Sequence, residues 1–135
     1  MHVTPYLFFP GNCEEAVRFY ADTLGTDPPD IMRMKDMPHE DQTAMEGMPP
    51  DAVMNAMLKK GDFEIMASDA TPEDAGRMAG VSIHLSLDST AEAQRVFDTF
   101  AEGGSVGMPM QKTFWATAFG TVADRYGVRW MVSCD

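Results

Sequence analysis

The chain has 135 residues, 44% of them hydrophobic and 23% charged, the composition of one globular domain able to bury a core. Ten Lys and Arg against 21 Asp and Glu leave a net charge of −11, so phosphate backbones and anionic lipid are repelled and neither nucleic acid nor membrane is an expected partner. Two cysteines without metal-ligand spacing, no charged leader before an apolar segment and no bilayer-length apolar run point to a soluble cytoplasmic protein.

In chain order, the first apolar run, Val3 to Phe9, predicts a strand. Asn12 opens a helix whose Ala16, Phe19, Tyr20 and Leu24 recur at helical spacing. Glu15 stands three residues after Asn12, where a capping box places it, and Gly25 supplies the stop. Cys13, in the first turn, is where a thiol pKa can fall, although no His or catalytic pattern accompanies it. Strand-like stretches follow at Ile31–Lys35, Val53–Lys59 and Phe63–Ser68, the last two joined by a turn at Lys60-Gly61-Asp62. Between them, Asp36–Asp51 carries Met37, Pro38, Met45, Met48, Pro49 and Pro50 in no periodic order and reads as a mobile, lid-like loop. Eight of the 13 Met lie between Met32 and Met66, either as adaptable ligand-facing surface or as ordinary gap filling.

Asp69–Met78 reads as a linker, after which the pattern repeats. Val81, Ile83, Leu85 and Leu87 alternate with Ser82, His84, Ser86 and Asp88, as in a strand half-buried against a helix. Ser89 opens a helix to Ala101, with Glu92 three residues on and Gly103-Gly104 at its end. Strands follow at Val106–Thr113, Thr117–Ala123 and Val128–Ser133, the last two joined at Arg125-Tyr126-Gly127, a turn that Asp124 is placed to cap. Glu15, Ala16 and Arg18 fall on Glu92, Ala93 and Arg95 at a constant offset of 77. The order is β-α-β-β-β, twice: an α+β fold, one domain over residues 1–135 built from two tandem units at about 1–70 and 78–135, joined by the linker at 69–78.

A duplicated βαβββ unit resembles the vicinal oxygen chelate superfamily, which includes glyoxalase I, bleomycin-resistance proteins and extradiol dioxygenases. The closer likeness is to its PhnB-like branch. It rests on Pro5-Tyr6-Leu7-Phe8-Phe9-Pro10-Gly11-Asn12-Cys13-Glu14-Glu15-Ala16, then Phe19-Tyr20 and Leu24-Gly25. It rests equally on Thr113-Phe114-Trp115, Phe119-Gly120 and Asp124-Arg125-Tyr126-Gly127-Val128-Arg129-Trp130. Members have often carried a ubiquinone-methyltransferase label. Here the Gly-rich run Gly103–Gly107 follows a helix instead of opening one, so it is no dinucleotide-type loop. The resemblance implies curved mixed sheets, each with a helix on its convex face.

The superfamily's enzymes hold a divalent metal with His or Gln on the first strand of each unit and Glu on the last. Carried over by residue, those positions match Pro5, Ser82, Glu64 and Met131. One ligand of four survives, so the expectation is no usual metal site and no cofactor. The same register turns Pro5, Leu7 and Phe9 toward a ligand cavity, with Tyr6 and Phe8 on a helix. Glu64, Met66, Ser68, Ser82, His84, Ser86, Arg129 and Met131 also face the cavity. The residues expected to bind a small molecule are His84, Glu64, Arg129, Trp115, Asn55 and Ser82.

Three of them have a plainer alternative. His84 is either a base or hydrogen bonder, or a polar residue on a wet face. Glu64 either binds ligand or pairs structurally, with Arg129 as its candidate partner. Trp115 either walls the pocket or packs in the core. His2 and His39 read as solvent-facing. Two functions remain in view: a small-molecule binder without metal, like the bleomycin-resistance proteins, or an isomerase or lyase of the glyoxalase type whose metal is held by Glu64, His84 and His39. Relatives of this length imply a homodimer with clefts shared between chains.

Overall fold

The computed structural model describes residues 1–44 and 47–135, with Ala44 and Pro72 described by backbone only. Met45, part of the Pro- and Met-rich segment, lies outside the described residues. In chain order the elements are β1 (Tyr6–Phe9), α1 (Cys13–Leu24), β2 (Asp30–Arg33), a 3-10 turn (Met34–Asp36), α2 (His39–Ala44), β3 (Val53–Lys60) and β4 (Phe63–Asp69). There follow α3 (Pro72–Ala75), β5 (Ile83–Leu87), α4 (Thr90–Ala101), β6 (Ser105–Gln111), β7 (Ala118–Ala123) and β8 (Arg129–Cys134). Met1–Gly76 and Arg77–Asp135 form two compact units. No described helix is long and apolar enough to cross a membrane.

Each unit holds one four-stranded mixed sheet, ordered β1-β4-β3-β2 in the first and β5-β8-β7-β6 in the second. The first and last strands of each unit pair in parallel and the rest antiparallel. The duplicated α+β architecture expected from the repeat is therefore present.

In the first unit α1 lies on β3 and β4. Its Ala16, Val17 and Tyr20 are buried against Ala56, Leu58, Ile65 and Ala67 of the sheet. Alanines at the paired positions Ala56 and Ala67 let the helix approach closely. Tyr20 and Phe9, both fully buried, each contribute roughly 1.5–3 kcal/mol by leaving water. In the second unit α4 buries Ala93, Val96, Phe97 and Phe100. Trp130 stacks on Phe100 at 4.7 Å between ring centroids, and its indole N–H donates to Asp124 Oδ2 at 2.8 Å. The other Asp124 oxygen accepts the Tyr126 and Val128 N–H groups at 2.8 and 3.1 Å, so the carboxylate caps its own turn as expected and also seats the core tryptophan.

Several local expectations need correction. Asn12 makes no side-chain cap, whereas Ser89 Oγ accepts the Glu92 N–H at 3.1 Å. The Glu92 carboxylate also holds Arg95 at 2.6 Å. The strand expected to reach Lys35 ends at Arg33, whose N–H donates to Asp36 Oδ2 at 3.0 Å and starts the 3-10 turn. The segment after it is not without regular structure: the Pro38 carbonyl accepts from Asp41 and Gln42 N–H, and Gln42 Nε2 donates to the Met37 carbonyl at 2.7 Å, which folds α2. The linker carries a helical turn too, started by Thr71 Oγ1 accepting the Asp74 N–H.

Candidate functional site

One face of each sheet is covered by its helix and the other is open, so register decides which side chains a ligand can meet. In the first unit, Tyr6 pairs with Met66, Met66 with Met57, and Met57 with Asp30, one row across the open face. Phe8 and Ser68 begin the next row, which Asn55 and Met32 continue. Tyr6 is 40% exposed, Phe8 44% and Met32 42%, while Phe9 is fully buried.

The first strand is thus turned over relative to the expectation: Tyr6 and Phe8 are open, and Leu7 and Phe9 lie on the helix side. The cause is a single residue. Three residues, Pro10-Gly11-Asn12, separate β1 from α1, but only Asp88 and Ser89 separate β5 from α4. The helices repeat at 77 positions, Cys13 to Thr90. The strands repeat at 78, because Tyr6 opposite Met66 corresponds to His84 opposite Met131. Extra length in the connection flips every side chain of a strand. By the same ladders the counterpart of Glu64 is Arg129, not Met131.

Glu64 sits at the wet end of the first sheet, where Thr4 Oγ1 donates to its Oε1 at 3.0 Å. His2 Nε2 lies 3.4 Å from Oε1 and Lys59 Nζ 3.6 Å from Oε2. The Thr4 hydrogen bond, followed by His2 and Lys59, holds its carboxyl below the usual range. These three partners belong to its own unit. Asn55 Nδ2 is 3.5 Å from the Tyr6 hydroxyl, which in turn donates to the Met54 carbonyl at 3.4 Å.

In the second unit the open face carries Ser86, Ser133 and Phe119 in one row and His84, Met131, Thr121 and Met108 in the next. Arg129 and Ala123 form a third row, and Ser82, just before β5, is exposed. His84, Ser86, Arg129 and Met131 therefore share the sheet face that the sequence alternation predicts. His84 Nε2 is 2.8 Å from Ser133 Oγ, a hydroxyl only 2% exposed. Trp115 stands on a turn closed by Thr113 Oγ1, which accepts the Ala116 N–H. Its ring meets buried Phe119 edge-on at 5.4 Å while remaining 53% exposed, so it both covers the core and offers a surface.

Sequence reasoning missed Asp69. This buried carboxylate, 8% exposed, accepts the Cys13 and Val53 N–H groups at 2.9 Å each. Standing at the head of an acidic linker, it carried no pattern that separated it from solvated neighbours. It also corrects the expectation for Cys13: burial, then the charges of Asp69 and Glu14, push that thiol up to about 12. A cavity of about 380 Å³ lies beside this corner, lined by Pro10, Gly11, Pro49, Asp51 and Asp69 among others, and by none of the six expected ligand-binding residues. Its carboxylates are engaged, Asp51 with Lys35 at 2.9 Å and Asp69 with the backbone.

The superfamily's metal does not fit the donors present. Pro5 has no side-chain donor and Met131 only a thioether, and the corrected register substitutes the Thr4 hydroxyl and the Arg129 cation. Among the described residues no three His, Cys, Asp or Glu side chains group so as to hold an ion.

Residues 1–133 match the family model described as 3-demethylubiquinone-9 3-methyltransferase. The crystal structure of protein PA1353 from Pseudomonas aeruginosa is 42% identical, with a TM-score of 0.86 over 100% of this chain and 98% of that one. Protein YjdN of Escherichia coli K12 is 36% identical over 98% of this chain and 95% of its own length. A PhnB protein from Bacillus cereus shares the fold at 23% identity, with a TM-score of 0.74 and full coverage of both chains. The chain belongs to this PhnB-like family, and it shares the fold of a Sphaerobacter thermophilus member of the glyoxalase/bleomycin resistance protein/dioxygenase superfamily, at 16% identity and a TM-score of 0.59.

Proposed function

We propose that the chain binds a small organic molecule on the open faces of its sheets, without the superfamily's usual metal. The observation that carries the reading is the exposure of large apolar side chains where a folded sheet gains nothing from it: Tyr6, Phe8 and Met32 in one unit and Trp115 in the other. Around them stand a few polar groups, Asn55 and Glu64 in the first unit and Ser82, His84 and Arg129 in the second. Apolar area with sparse, placed polar groups is how small-molecule sites are built. The family name carries a methyltransferase label, but the Gly-rich run Gly103 to Gly107 leaves α4 and runs into β6 instead of opening a helix, so it is no dinucleotide-type loop.

The protein works as a homodimer in the cytoplasm. The edge strands β2 and β6 and the exposed Phe114 and Val106 supply surface for a second copy, and Cys13 and Cys134 are both free thiols, as a reducing compartment requires. Sedimentation mass should be twice 14.9 kDa.

A thermal-shift screen of metabolites and planar antibiotics tests the binding reading. Stabilising hits that weaken in Glu64→Ala and His84→Ala support it; hits unaffected by both mean that the site lies elsewhere. Elemental analysis of protein purified without chelators separates this reading from a glyoxalase-type isomerase or lyase. A stoichiometric divalent metal that is lost in His84→Ala would favour the enzyme.

A further inference from the structure

The two sheets differ most in charge. Strands β5 to β8 contain no Asp or Glu, in a chain with a net charge of −11. Their one Lys or Arg is Arg129, exposed on the open face. Arg18, Arg33, Arg95 and Arg125 each hold a carboxylate. Among the described residues Arg129 meets none. An exposed guanidinium without a counter-ion, on a sheet free of acids, is the local positive group that an anionic ligand needs on a protein this acidic.

We propose that this face takes an aromatic monocarboxylate, its carboxylate on Arg129 and its rings lying toward Trp115; the proposal rests on the small-molecule reading above. The planar fork of arginine matches a carboxylate with two parallel hydrogen bonds. Trp115, half exposed and braced by Phe119, offers a broad ring whose position is already fixed. From Arg129 to Ser133, which pairs with Phe119, is four residues along β8, roughly 13 Å at about 3.3 Å each. The long arginine side chain and a two-ring acid together span that distance, and benzoate does not. Between the two ends lies His84, whose Nε2 is engaged by Ser133 while Nδ1 remains available among the described residues. The field of the chain selects the charge: a dianion such as a phosphate monoester meets twice the repulsion of a carboxylate. The nearest carboxylate in sequence, Asp124, is buried and accepts the Trp130 indole N–H and the Tyr126 and Val128 N–H groups, and Asp88 follows β5 at the end remote from Arg129.

Tryptophan fluorescence and calorimetry on the full chain, with biphenyl-4-carboxylate and its neutral isostere biphenyl-4-carboxamide, test the proposal. Fully buried Trp130 serves as the internal reference for Trp115. The acid should bind at least tenfold more tightly than the amide, more tightly than benzoate, and less tightly in high salt. Arg129→Gln should abolish the preference for acid over amide, and Trp115→Ala should weaken both probes severalfold. Arg129→Lys, which keeps the charge but not the fork, should retain part of the preference and guards against misfolding of the glutamine variant. Equal binding of acid and amide, lost in Trp115→Ala, would overturn the anionic class while the small-molecule reading survives. A preference for the acid that persists in Arg129→Gln would overturn the role of Arg129. Binding of neither probe would overturn the proposal, and the broader reading would then be decided by the metabolite screen alone.

Discussion

Replacing Asp69 by Ala removes one carboxylate that joins three elements: it ends β4, holds the N–H of Cys13 at the start of α1 through Oδ1, and that of Val53 at the start of β3 through Oδ2. Both bonds are 2.9 Å long and buried. Alanine leaves two buried donors without acceptors, at about 1–3 kcal/mol each, so the expected loss is about 2–6 kcal/mol. Asp69→Asn keeps one acceptor and should lose about half of that. With urea slopes of about 1–3 kcal/mol per molar, the alanine midpoint should fall by about 1–3 M. Urea titration followed by circular dichroism measures both variants. A midpoint shift below about 0.3 M for Ala would refute the reasoning, because it corresponds to less than about 1 kcal/mol. Equal losses in Ala and Asn would show that the charge matters and not the number of acceptors.

Glu14 is held down to about 2 from 4.5, first by the Arg33 hydrogen bond and then by Arg18. A lowered carboxylate stabilises the fold above its unfolded value and stops doing so as pH falls, so this contribution should vanish between about 4.5 and 2. Glu14→Gln should flatten that part of the acid unfolding profile, by less than about 1 kcal/mol since the pair is partly exposed; an unchanged acid limb would count against it. Gly104→Ala drives a Cβ into the Ala123 carbonyl and within 2.8 Å of the Phe100 carbonyl, backbone atoms that cannot rotate aside. It should cost upward of about 3 kcal/mol, whereas Gly61→Ala, open but at φ +57°, should cost only about 1–2 kcal/mol; similar melting shifts for the two would contradict the packing argument. In a Cys134→Ser background, Cys13 should resist a disulfide reagent at pH 8 until the chain unfolds, because its thiol is pushed up to about 12. Rapid native labelling would show that the corner around α1 opens.

Most of the fold was legible because it is written twice. Two helices with matched charges and spacing, each set among alternating strands, leave few other arrangements, and Gly25, Gly61 and Gly127 stand in the left-handed turns that punctuate them. What misled the reading was local. Helix spacing gave an offset of 77, but Pro10-Gly11-Asn12 adds a residue before α1, so transferring that offset to β1 reversed Tyr6 and Phe8 with Leu7 and Phe9. Burial settles such a parity question, and four consecutive apolar residues carry no alternation from which to read it. In β5, where polar and apolar residues alternate, His84 and Ser86 came out on the correct face. Capping chemistry was only half legible: Ser89 caps, whereas the N–H of Cys13 turns to Asp69, a contact across 56 positions that no local pattern reveals.

The parallel pairing of first and last strands has a consequence for how the protein is made. Tyr6 finds Met66 sixty residues later, and His84 finds Met131 forty-seven residues later. The hairpins β3–β4 and β7–β8 form from near neighbours, but β1 and β5 have no partner strand until β4 and β8 have been synthesised. On the ribosome the N-terminal segment therefore waits, with Phe8 and Phe9 unburied, until residue 69 has left the exit tunnel. Contacts of this sequence separation slow folding because the loop must close before the pairing stabilises it. A chain stalled between α1 and β4 would present an apolar strand without its ladder, so chaperone demand should be concentrated in that first half of synthesis.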